Sequence, residues 1–120
     1  MKRTFYFLLL LAALYSCSDS KNSSLIVGNW QGVEWLVNGN PSTNNAKGTS
    51  FIFTATSEYT YDNSGTIEKG SYKVVNDKLY TTPYDQLEIM VRIAKLTPDS
   101  LVFDMNRGGQ DETLVLLRKK

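Results

Sequence analysis

Residues 49–82 read TSFIFTATSEYTYDNSGTIEKGSYKVVNDKLYTT. Short stretches of alternating side chains are separated here by brief turn sequences. Phe51 and Phe53 fall on one face, as do Tyr59 with Tyr61 and Tyr72 with Val74. A period of two is the signature of a β-strand with one buried face, because successive side chains point to opposite sides of the backbone. Asn63-Ser64-Gly65 and Asn76-Asp77 suit tight hairpins, since Asn, Asp and Gly tolerate the left-handed backbone such turns require. No 3.6-residue period interrupts the pattern.

The same reading extends both ways. Eight strands are expected, at 26–37, 49–54, 58–62, 66–75, 78–82, 87–96, 100–106 and 111–118. Ile89, Val91 and Ile93 share one face against Glu88, Met90 and Arg92, and Leu101, Phe103 and Met105 share another. Arg92 is thereby expected to point outward. Thr97-Pro98-Asp99 and Arg107-Gly108-Gly109-Gln110 supply the remaining turns, the first placing Pro where a type I turn fixes φ. Sequential hairpins with no helical crossover describe an all-β, antiparallel, up-and-down sheet. Eight strands of this kind can close into a barrel, which removes exposed edges; an open sheet or sandwich is the alternative. In a barrel, loops alternate between the ends. Asn38–Gly48, 63–65, 83–86 and 107–110 then surround a wide mouth, and the short turns at 55–57, 76–77 and 97–99 form a tight base beside the incoming N-terminus.

The first residues carry a different message. Lys2 and Arg3 precede an uninterrupted apolar run, Phe5–Leu14, followed by Leu14-Tyr15-Ser16-Cys17. A basic start, a short apolar stretch and a small residue before the cut read as a secretory signal. Ten apolar residues are too short for a permanent membrane span; an N-terminal core helix is the competing reading. Leu14-Tyr15-Ser16-Cys17 resembles the lipobox of bacterial lipoproteins, with a bulky Tyr15 inside the motif. The resemblance implies removal of residues 1–16 and acylation of Cys17, with palmitate-type chains that anchor the protein to the bacterial envelope at the outer membrane, on its periplasmic or surface side. Several chains on one residue hold stably where one would be marginal. Residues 17–24 then comprise the lipidated Cys and a Ser-rich flexible tether, and residues 25–120 the barrel domain.

Composition narrows the function. The chain has 120 residues, one Cys, no His and a net charge of +1. Without His the usual general base and commonest zinc ligand are missing, and one Cys supports neither an internal disulfide nor a Cys-cluster metal site. The near-neutral charge argues against a nucleic-acid partner, which needs a basic surface. No nucleophile elbow or phosphate-binding loop appears. Neither a metal, a cofactor nor a catalytic set of residues is expected.

Gly28-Asn29-Trp30 opens the first strand, and Arg118 ends the last. This pairing resembles the lipocalin family and its smaller bacterial lipocalin-like relatives. The resemblance implies that Trp30 plugs the barrel base and that Arg118 packs over its ring, a cation–π and stacking contact. It covers residues 25–119, although the chain is shorter than an ordinary lipocalin. Strands this short leave open whether the lumen is hollow or filled by side chains.

Counting alternately from Trp30 puts Gly32, Glu34 and Leu36 inward, and Val33, Trp35 and Val37 outward. An inward carboxylate is costly unless paired or hydrated, so Glu34 is either a polar contact for a ligand or sits on a bend near solvent. The candidate lining is Trp30, Glu34, Phe53, Tyr61, Tyr72 and Phe103, under a lid formed by Asn38–Gly48. The expected function is non-catalytic binding of a small apolar or amphipathic molecule. The alternative is a protein-binding module, inhibiting an enzyme or scaffolding an envelope complex through Asn38–Gly48 and Arg107–Gln110. Ten aromatic residues remain after cleavage, and they fit a ligand cavity or an ordinary β core equally well.

Overall fold

A computed structural model describes residues 21–120. The alternating segments form nine strands: β1 (Gly28–Val37), β2 (Asn40–Pro41), β3 (Thr49–Phe53), β4 (Glu58–Asn63), β5 (Thr66–Val75), β6 (Lys78–Pro83), β7 (Ile89–Leu96), β8 (Ser100–Arg107) and β9 (Gln110–Arg118). Each strand from β3 onward pairs antiparallel with the next, and β9 returns to pair with β1. The result is a closed eight-stranded antiparallel barrel, with the two-residue β2 folded back on the end of β1. Closure runs from Trp30 opposite Arg118 to Val37 opposite Glu112. The alternating faces behave as expected: Phe53, Tyr59, Tyr72, Leu79, Ile93, Leu101, Phe103, Leu114 and Leu116 are buried inside.

Three local features depart from simple alternation. In β1, Gly32 opposes Leu116 and Glu34 opposes Val115, so Val33 has no partner and forms a bulge. One extra residue reverses the facing of everything after it. Trp35 therefore turns inward, where it is 8% exposed, and Glu34 faces solvent. The inward placement of Glu34 and outward placement of Trp35 expected above are both overturned. A second bulge, at Ala94 in β7, lies between Ile93 and Lys95. Finally, Asn38 and Gly39 both adopt positive φ, at 51° and 79°, and make the two-residue turn into β2.

The N-terminal side also differs from the expected tether. Lys21–Leu25 forms a single helical turn, with the Ile26 amide donating to the Asn22 carbonyl at 3.2 Å. Asn22 Nδ2 donates to the carbonyl of Asn76, which ties this turn to the hairpin between β5 and β6. Residues 21–24 thus belong to the folded base. The signal segment, Cys17 and Ser18–Ser20 lie outside the described residues.

Candidate functional site

The base of the barrel is shut. Trp30 is fully buried, and its indole Nε1 donates to the Ile26 carbonyl at 2.8 Å. The Arg118 guanidinium carbon sits 4.2 Å from the Trp30 ring centroid. Its Nη1 donates to Val27 O at 2.8 Å and its Nη2 to Leu25 O at 2.6 Å, while Nε reaches the Pro98 carbonyl. The planar five-donor fork of arginine suits this position, because it stacks on an aromatic face while satisfying carbonyls at its edges. Gly28 has a local role. Its φ is +137°, and a Cβ there would collide with Arg118 Nη1. Trp30 and Arg118 thus meet at this end of the barrel, the contact the resemblance implies.

Above the base the aromatic residues form a ladder. Phe53 meets Tyr72 edge-on at 5.0 Å and stacks with Phe51 at 5.6 Å. Phe51 in turn stacks on Tyr61 at 4.6 Å and meets Phe103 edge-on at 5.5 Å. Trp30, Phe53 and Tyr72 are the solid lower part; the Tyr72 hydroxyl is spent on the Thr54 carbonyl. Over this floor opens a cavity of about 960 Å³, walled chiefly by Trp35, Phe51, Tyr59, Tyr61, Phe103 and Leu114. The barrel is therefore filled at one end and hollow at the other.

Of the six proposed lining residues, Tyr61 and Phe103 line the cavity. Trp30, Phe53 and Tyr72 lie beneath it, and Glu34 faces outward into a shallow groove between β1 and the 41–47 segment. The lid is corrected as well: no residue of Asn38–Gly48 lines the cavity. That segment is pinned to β1 instead. Ser42 Oγ donates to the Trp35 carbonyl, and Gln31 Nε2 donates to Lys47 O, both at 2.7 Å. Ala46 packs where Gly32 has no side chain; a Cβ at Gly32 would strike the Ala46 carbonyl.

The polar groups of the cavity were not legible as a set. Glu112, on β9, is 7% exposed; its Oε1 accepts from Trp35 Nε1 at 2.8 Å and lies 3.8 Å from Arg107 Nη1. Glu68, on β5, accepts from the Tyr59 hydroxyl at 2.7 Å. Burial and then the neighbouring Glu68 carboxylate hold the Tyr59 phenol well above its ordinary range. Burial also raises Tyr61, opposed by the positive charge of Arg107 and reinforced by Glu68. Arg92 points outward, 3.6 Å from Asp77, as its strand parity implies.

The wall has a lateral opening. β7 and β8 pair only from Arg92 opposite Asp104 to Leu96 opposite Leu101. Ile89–Val91 therefore have no partner on β8, and Met105–Arg107 have none on β7. Residues of both parities on these strands, Met90 and Val91 or Asp104 and Met105, line the cavity, as a parted wall allows. Exposed Ile89 and Met90 border the gap.

Residues 26–103 match the family model described as a lipocalin-like domain. The chain belongs to the lipocalin-like domain family. Two solved structures share the lipocalin-like barrel. One is an uncharacterized protein from Bacteroides eggerthii, with 16% identity, a TM-score of 0.59, and coverage of 78% of this chain and 98% of that one. The other is a lipocalin-like protein from Bacteroides uniformis, with 15% identity, a TM-score of 0.57, and coverage of 79% and 98% respectively. No curated protein matches this chain. At such identities the likeness concerns the lipocalin-like fold alone.

Proposed function

We propose that this chain is an envelope-anchored lipocalin-like lipoprotein that holds a small apolar or amphipathic molecule in its barrel without catalysing its conversion. The observation that carries the reading is the cavity of about 960 Å³ above a sealed base. Its size suits a small-molecule site, which combines apolar walls with a few placed polar groups. The anchor is proposed from Leu14-Tyr15-Ser16-Cys17, with Cys17 acylated and the protein held at the outer membrane. Because the helical turn at Lys21–Leu25 packs at the base, the mouth would face away from that anchor.

Native mass spectrometry on a soluble form comprising residues 18–120, purified gently from cells, tests the ligand. This form keeps Leu25 and Val27, whose carbonyls Arg118 needs. An extra mass released by organic solvent is expected; a protein that neither retains such a mass nor takes up any amphiphile overturns the reading. For the anchor, the mature chain isolated from membranes should begin at an acylated Cys17. An intact Met1 or an unmodified Cys17 thiol would refute it.

A second reading, a protein-binding module, has one observation in its favour. Tyr84, Leu87, Ile89 and Met90 expose apolar surface near the mouth, Leu87 at 88%, and such patches often mark interaction sites. This shifts the candidate contact from Asn38–Gly48 and Arg107–Gln110 to the segment between β6 and β7. Loss of an envelope partner on Leu87→Asp, with small-molecule uptake unchanged, would favour it.

A further inference from the structure

The polar equipment of the cavity is unbalanced. Of its charged lining residues, the carboxylates Glu68 and Glu112 and the guanidinium of Arg107 have the inward strand parity, whereas Arg92, Asp104 and Asp111 border it only at its rim and where the wall parts. Both cations are already placed beside acids: Arg92 lies near Asp77 outside the barrel, and Arg107 near Glu112. Glu68 differs from Glu112. None of the ion pairs among the described residues involves it, and the one side-chain hydrogen bond its carboxylate makes among them comes from the Tyr59 hydroxyl. It stands opposite Tyr61 in the β4–β5 register, and Tyr61 stacks on Phe51. An uncompensated carboxylate beside aromatic walls is the arrangement that attracts a desolvated cation: the acid supplies charge and a hydrogen-bond acceptor, and the ring faces supply cation–π attraction.

We infer that the ligand carries a protonated amine on an apolar body, with the ammonium group on Glu68 and the body among Phe51, Tyr61 and Phe103. This rests on the ligand-binding reading above and specifies its chemistry. A free fatty acid is the disfavoured case, because its carboxylate would meet an excess of like charge and find Arg107 beside Glu112.

Three water-soluble probes with one skeleton separate the possibilities: 4-phenylbutylamine, 4-phenylbutanol and 4-phenylbutyrate. Each is titrated into the full chain by calorimetry, with quenching of Trp35 emission as a second readout. The amine should bind about tenfold more tightly than the alcohol, the order of one charge-assisted hydrogen bond, and the carboxylate most weakly. Glu68→Gln, which keeps an acceptor for Tyr59, should remove the preference for the amine over the alcohol. Equal binding of amine and alcohol, or tighter binding of the carboxylate, overturns the inference while leaving the cavity reading intact. An amine preference that survives Glu68→Gln overturns the assignment to Glu68. Failure of all three probes to bind overturns this inference, and the cavity reading falls with it when native mass spectrometry also shows no retained mass. Should the variant lose its near-UV dichroism, the order of affinities in the unaltered protein decides.

Discussion

The two ends of the barrel use the same strands to opposite purposes. At the base the two polar groups of the plug have local destinations: the Trp30 indole on Ile26, and the Arg118 guanidinium on Leu25, Val27 and Pro98. Near the mouth, Glu112 is satisfied by Trp35 and Arg107, but Glu68 has only Tyr59, and β7 separates from β8. The base can therefore bind nothing more, whereas the mouth retains both space and unspent charge. Stability should reside mainly in the first and selectivity in the second, as expected when binding regions are drawn from the less tightly packed parts of a fold.

Substitutions should separate the two ends, starting with the largest effect. Trp30→Ala empties the floor of the barrel and should cost about 3–5 kcal/mol, the range for deleting a buried aromatic, read by urea unfolding. Arg118→Met keeps some stem packing but loses the fork and its carbonyl contacts, and should cost about 2–3 kcal/mol by the same measurement. Lysine at this position should rescue little, since a point charge cannot replace a stacked guanidinium that donates to three carbonyls. At the mouth, Trp35→Phe leaves Glu112 without its closest donor and should cost about 1–2 kcal/mol. It should also alter the affinity of whatever occupies the cavity, which the base variants that remain folded should not do. Tyr61→Ala, at a half-buried position, should cost about 1 kcal/mol yet change the affinity more than the stability. A mouth variant that unfolds the protein as readily as Trp30→Ala would break the distinction.

Alkaline titration sharpens it further. The phenols of Tyr59, Tyr61 and Tyr72 are raised in the fold, chiefly by burial. A raised phenol holds its proton more firmly in the native state than in the unfolded chain. Its contribution to stability is thus complete below the unfolded value of about 10 and is lost as pH climbs from there through the native value. Unfolding midpoints should fall above that pH, with tyrosinate absorbance lagging behind in the native protein. Midpoints that hold steady would show that these hydroxyls are not shielded.

Much of this organisation was readable from residue order. Alternation located the barrel strands within a few residues, and the lipocalin resemblance carried by Gly28, Trp30 and Arg118 pointed to the base. The cavity was less legible. Counting by twos from Trp30 fails at Val33, because β1 pairs with β3 over Gly28–Gln31 and continues along β9 to Val37; the bulge falls where β1 leaves β3. One clue was present: the count put a carboxylate inside and a tryptophan outside, the costlier of the two arrangements. Asn38-Gly39 was likewise a hairpin signal hidden within a segment read as one long loop. Glu68, Arg107 and Glu112 offered no clue, since their association depends on which strands become neighbours and how far each side chain reaches.

By itself, then, the sequence determined an all-β chain of successive hairpins, and its resemblance to the lipocalin family implied a plugged end. Strand periodicity and turn chemistry act over a few residues, so they are legible locally. Tertiary structure decided that the barrel is half hollow, which acids face the hollow, and where the wall parts. Those outcomes depend on bulges, register and closure between strands as distant as β1 and β9, where one added residue exchanges inside for outside.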